Sequence, residues 1–200
     1  LIIGSENLTK HVDFSDRASC ILFGDGAAAV VIEYSDAFYT SSIGADGEGG
    51  KYLSGKSIPP SNYFMTDEDK ENAKKYDCKI PEYDNHYLHQ NGKEVYKFAT
   101  RVLPKAVVEA AAKANLDIND IDLFIPHQAN TRIIETAASN LGVSMDKFYV
   151  VIDKFGNTSS ASIPLAFDDA IKQGKIKRGD KICFVGFGAG LTYGAVIFEY

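Results

Sequence analysis

The chain reads as an α/β protein on a largely parallel sheet with helices on both faces. Two observations carry that reading: from residue 38 extended runs alternate with helical periods, and the two ends of the chain carry similar strand-turn-strand stretches. Each strand-to-strand crossover lays a helix on the sheet, and such sheets present their chemistry at the carboxyl ends of strands.

In order, LIIG (1–4), SCILF (19–23) and AAAVVIEY (27–34) predict strands, the last two joined by a tight Gly-Asp-Gly hairpin. FYTSSIGAD (38–46) predicts another strand. Residues 47 to 91 then lack a sustained period, which predicts a functional loop or a cover over a site. Beyond Gly92 the residues Val95, Phe98, Ala99, Val102 and Leu103 share a helical face, with Pro104 expected to kink or restart the helix. DLFIP (122–126) predicts a buried strand. A helix follows, capped by Asn130 and stopped by Gly142. FYVVID (148–153) predicts a strand, SASIPLAFDDAIKQG (160–174) a helix, and KICFVGF (181–187) with YGAVIFEY (193–200) the closing strands.

At 200 residues, 45 % hydrophobic and 24 % charged, the composition is that of an ordinary globular chain with a substantial core. A net charge of -6 argues against nucleic acid as a partner; Lys172, Lys175, Lys177, Arg178 and Lys181 form the one dense basic patch, read as a solvated helix end and turn. No run approaches the roughly 20 apolar residues of a membrane span, nor does a signal peptide open the chain, so a cytoplasmic location is expected. Cys20, Cys78 and Cys183 are odd in number and lack metal-ligand spacing, which suits a reducing compartment. The start at LIIG suggests a fragment or a processed chain.

The stretches CILFGDGAAAVVIEY (20–34) and CFVGFGAGLTYGAVIFEY (183–200) share a cysteine-led strand, a glycine turn, a returning apolar strand and a final Glu-Tyr. A duplicated architecture follows, with most of the first copy expected before Leu1. His127 follows a predicted strand by one residue and precedes a capped helix; Asn157 repeats that arrangement in KFGNTSSAS. Two such strand ends can aim an imidazole N–H and an amide NH2 at one oxygen, as an oxyanion or enolate requires. The turn GFGAGLTYG adds main-chain donors; it is no dinucleotide fingerprint, because a strand follows it rather than a helix. A nucleophile is missing: Cys20 and Cys183 sit in apolar strand patterns and Cys78 has no neighbouring base. The pair His86 and His89 lacks a third metal ligand, and DEDKE (67–71) reads as solvated charge.

PHQANTRIIE, FGNTSSASIP, FGDGAAA and GFGAGLTYGA together resemble the carboxyl-terminal part of the β-ketoacyl-[acyl-carrier-protein] synthase III family, thiolase-fold condensing enzymes. The resemblance implies two similar halves, residues 1–37 ending the first and 38–200 forming the second. It implies a Cys-His-Asn set in which His127 and Asn157 are two members and the cysteine lies in sequence before this chain. It also implies condensation of an acyl-CoA with malonyl-acyl carrier protein, in a homodimer, with neither cofactor nor metal. Ala189 would offer a backbone oxyanion donor where relatives carry glycine, provided its φ is negative. Asn130, Arg132 and Phe187 would face substrate or carrier protein, and NGKEVYKFA (91–99) would line a substrate tunnel, with Lys93 replacing a neutral residue. The alternatives are a starter-unit condensing enzyme of a secondary pathway and a non-catalytic acyl-binding half.

Overall fold

The computed structural model describes residues 1–17, 19–55, 66–68 and 87–200. Cys78, His86 and residues 69–71 of the acidic run lie outside them. A four-stranded sheet forms the body, in the order β3 (Tyr39–Ala45), β8 (Thr192–Glu199), β7 (Lys181–Gly188), β6 (Leu123–Pro126). β6 and β7 run parallel, with Phe124 opposite Cys183, whereas β7 with β8 and β8 with β3 are antiparallel. A separate antiparallel ribbon joins β1 (Ile2–Glu6) to β2 (Gly26–Val30), and a short one joins β4 (Leu53–Gly55) to β5 (Leu88–Gln90).

Helices cover both faces of the four-stranded sheet. On one, α1 (Gly92–Lys113) and α2 (Thr131–Leu141) bury Leu103, Val107, Ile134 and Ala138 against Phe124, Cys183, Val185 and Ile197. On the other, α4 (Ser162–Lys172) sets Ala166 and Ala170 on Leu123, Ile125 and Ile182. α2 begins and ends where expected. Asn91 and Asn130 accept N–H bonds from the first turns of α1 and α2, and Gly142 ends α2 in the left-handed conformation, φ 69°.

Three expectations are corrected. SCILF is a set of turns, because β2 takes β1 as its partner and Phe23 instead bridges to Asn157, so no Gly-Asp-Gly hairpin forms. Residues 148–153 touch the sheet through one parallel bridge, Phe148 to Phe124, and then enter the short helix α3 (Ile152–Phe155). A side chain takes the place of a ladder there: Gln128 donates to the Tyr149 carbonyl at 3.1 Å and accepts the Val151 N–H at 2.9 Å. Finally, α1 runs through Pro104 without restarting. Proline cannot bond the carbonyl of Thr100, and the Asn140 side chain of α2 takes that carbonyl instead, at 3.2 Å.

Candidate active site

β6 is buried along its whole length and delivers His127 at its carboxyl end, where the His127 N–H extends the pairing by donating to the Val185 carbonyl at 2.8 Å. The loop after α3 turns at Gly156, φ 66°, and brings up Asn157, only 8 % exposed. Both side chains line one cavity of about 380 Å³. Asn130, Phe187, Gly188 and Ala189 join them on its wall, with Leu53 of β4 and Leu88 of β5 closing another side. So β4 and β5 border the site; most of the stretch between them, read from the sequence as a functional loop or cover, lies outside the described residues.

The two polar side chains are held by their inner atoms. Asn157 Oδ1 accepts the Ser159 N–H at 2.9 Å, which leaves its NH2 as the outward group. His127 Nδ1 lies 2.7 Å from Ser162 Oγ, and its ring stands edge-on to Phe187, centroids 5.4 Å apart. No described residue bonds to Asn157 Nδ2 or His127 Nε2. One edge of the imidazole faces the cavity, yet the desolvation of its surroundings pushes its pKa down to about 4, and so the ring is neutral near pH 7. Ser159 itself sits at φ 49°, an uncommon conformation for a residue with a Cβ.

Ala189 lies in the β7–β8 turn and is not among the residues of positive φ, so the glycine-to-alanine exchange meets no backbone strain. Asn130 caps α2 through a 2.9 Å bond from the Arg132 N–H while also bordering the cavity. Arg132 is exposed and outside the cavity wall. Gly92, Val95 and Tyr96 at the start of α1 line the same cavity. A second hollow, of about 830 Å³, shares His127, Ser159, Phe187 and Gly188 and opens over the β3–β8 side of the sheet.

Of the cysteines, Cys183 is fully buried in β7 and burial pushes its thiol pKa up; Cys20 is half-buried in a turn rather than a strand. The basic patch begins β7, at the end opposite the cavity, where Lys172 pairs with Asp168 at 2.6 Å and Arg178 stacks over Tyr200. Among the described residues no three groups gather as metal ligands, and no helix is long and apolar enough to cross a membrane. Sequence reasoning assigned no role to Gln128, Ser159 or Ser162. Only their nearness to the two candidate donors, in PHQAN and GNTSSAS, offered a signal.

Two family models match the chain: 3-oxoacyl-[acyl-carrier-protein (ACP)] synthase III over residues 1–47, and the C-terminal model of the same synthase over residues 111–200. A β-ketoacyl-[acyl-carrier-protein] synthase III of Staphylococcus aureus (strain Newman) is 45 % identical over 203 residues, covering 100 % of this chain and 56 % of that protein. One from Clostridium acetobutylicum is 42 % identical over 202 residues, covering 100 % of this chain and 58 % of its own length. The crystal structure of 3-oxoacyl-[acyl-carrier-protein] synthase III from Aquifex aeolicus superposes with a TM-score of 0.82 at 37 % identity, over 99 % of this chain and 56 % of that one. The chain thus spans little more than half the length of these relatives. Motifs at both ends, identity across the whole chain and a shared fold agree, and the chain belongs to the 3-oxoacyl-[acyl-carrier-protein] synthase III family, with its thiolase-like α/β architecture.

Proposed function

We propose that this chain supplies the carbonyl-activating part of a decarboxylative condensing enzyme that joins an acyl-CoA primer to malonyl-acyl carrier protein and so begins fatty-acid synthesis. The observation that carries the reading is the single cavity onto which His127, Asn157 and Ala189 all open. A thiolate, contributed by sequence beyond this chain, first takes the acyl group from coenzyme A. Malonyl-carrier protein then enters, and His127 Nε2–H and Asn157 Nδ2–H donate to its thioester oxygen. The bond to the carboxylate breaks, carbon dioxide leaves, and its electron pair becomes the enolate those donors stabilise. The enolate carbon attacks the acyl-cysteine carbonyl, whose oxyanion meets the Ala189 N–H, and the thiolate departs. The hollow beside His127 over β3 and β8 supports an approach for the nucleophile from that side. Neither Cys20 nor Cys183 serves: the first lines neither hollow and the second is sealed in the core.

On this reading residues 1–37 close a first thiolase-like half and 38–200 make the second, the enzyme is a cytoplasmic homodimer, Phe187 borders the bound substrate, and Asn130 faces the carrier's pantetheine arm. Arg132, exposed on the first turn of α2, would meet the acidic carrier protein. In the full-length protein that contains this chain, His127→Ala and Asn157→Ala each lower malonyl decarboxylation by roughly 10²- to 10³-fold while acylation from acyl-CoA persists. Loss of acylation with decarboxylation preserved overturns the assignment. Arg132→Glu weakens carrier-protein binding and flattens its salt dependence; unchanged affinity removes Arg132 from that surface.

A further inference from the structure

Which nitrogen of His127 carries the proton decides whether it can donate into the cavity at all. Ser162, at the start of α4 and 2 % exposed, places Oγ 2.7 Å from Nδ1. The same oxygen lies 3.3 Å from the backbone N–H of Gln128. No other described group is within bonding distance of it. Gln128 N–H can only donate, so Ser162 Oγ is its acceptor, and the hydroxyl proton then has one acceptor available, the Nδ1 lone pair. The reverse arrangement, with Nδ1–H donating to Oγ, strands a buried hydroxyl proton with nothing to receive it. Only one assignment satisfies all three groups, and it leaves the proton of a neutral imidazole on Nε2.

We infer that Ser162 is a positioning residue that holds His127 in the Nε2–H tautomer, so that the imidazole enters the cavity as a donor. The role deepens the reading given under Proposed function and rests on it for its catalytic consequence. The geometry has a sequence basis: Ser162 and Asn157 lie on one short loop-to-helix segment, so the segment that delivers the amide donor also orients the imidazole donor. Gln128 contributes twice, its N–H reaching Ser162 Oγ while its side chain pins residues 149–151, so the two strand ends cannot drift apart independently.

The test uses the full-length protein with nitrogen-15 histidine, read by long-range proton–nitrogen correlation spectra. In the unsubstituted protein His127 shows an unprotonated Nδ1 and a protonated Nε2; the opposite pattern overturns the proposal whatever the variants do. Ser162→Ala yields a mixture of tautomers and lowers decarboxylation kcat about tenfold, short of the roughly 10²- to 10³-fold expected when the donor itself is removed. KM for acyl-CoA stays unchanged, since acylation does not use this proton. Ser162→Thr, which keeps a hydroxyl, restores the single tautomer and the larger part of the rate. A Ser162→Ala protein with the original tautomer and rate refutes the role. If the unsubstituted protein has no decarboxylase activity, the functional reading fails, while the tautomer pattern still decides what Ser162 does.

Discussion

An imidazole tied at Nδ1 to a neutral hydroxyl and flanked by a phenyl edge has, among the described residues, no carboxylate to favour its cation. Desolvation therefore acts unopposed, which is why the His127 pKa falls to about 4 from an ordinary 6.5. Because the folded value is the lower one, this group's stabilising contribution is complete above the ordinary pKa and disappears as pH falls through about 4. A proton titration of the His127 ring should give a midpoint near 4, and the pH profile of decarboxylation should show no acid limb near 6.5 from this residue. A midpoint at 6 or above would mean that water or an anion reaches the ring freely. Gln128 yields a second residue-scale outcome. Its side chain satisfies the Pro126 carbonyl, the Tyr149 carbonyl and the Val151 N–H, and it is 1 % exposed. Gln128→Leu keeps similar bulk but orphans all three, so chemical denaturation should record a loss of roughly 2–5 kcal/mol. A loss below 0.5 kcal/mol would show that the loops close without it.

At the scale of elements, α1 and α2 are joined by a substitution of one hydrogen bond for another. Pro104 removes the donor that Thr100 needs within α1, and Asn140 of α2 supplies one from outside. Asn140→Ala should therefore cost about 0.5–1.5 kcal/mol with Pro104 present and close to nothing in a Pro104→Ala background, where the helix bonds Thr100 itself. Equal costs in both backgrounds in urea unfolding would show the bond to be incidental. The same element explains what could be read from the sequence. The cap at Asn130, the stop at Gly142 and the apolar face of α1 are local features, and they gave those helices correctly. The position of His127 just past a buried strand was visible in the same way, whereas Asn157, expected past a second strand, follows the short helix α3 instead. The misreadings at 19–23 and 148–153 have one cause: β propensity is local, whereas a strand needs a partner. Phe23 finds Asn157, and Val151 finds the Gln128 side chain. A long-range side-chain bond of the kind that Ser162 makes to His127, 35 residues away, has no local signature at all.

Across the whole molecule, apolar burial is uneven in a way that bears on the site. Phe124, Ile125, Ile182 and Ile197 are wholly buried, whereas Ile3, Ile21, Val31, Ile32 and Tyr34 stand exposed, Tyr34 at 96 %. A two-stranded ribbon such as β1–β2 is marginal on its own. What holds this one is the approach of Gly4 to the Ser160 carbonyl, too close for any Cβ, and the bonding of Phe23 and Gly24 to the Asn157 backbone. The ribbon therefore buttresses the Asn157 loop directly, and its looseness would pass to Asn157 before it reached His127, which hangs from the buried strand β6. Hydrogen exchange on the 200-residue chain alone should accordingly show fast exchange at Ile2–Glu6 and Gly26–Val30, intermediate protection at 157–160, and slow exchange in β6, β7 and α1. The exposed side chains should also bind a hydrophobic dye and drive self-association with rising concentration. In the full-length protein, dye binding should fall and protection should rise first in the ribbon and then in the Asn157 loop. Equal protection of the ribbon and the four-stranded sheet in the chain alone would break the link, because the Asn157 loop would then owe its position to the sheet and not to the ribbon.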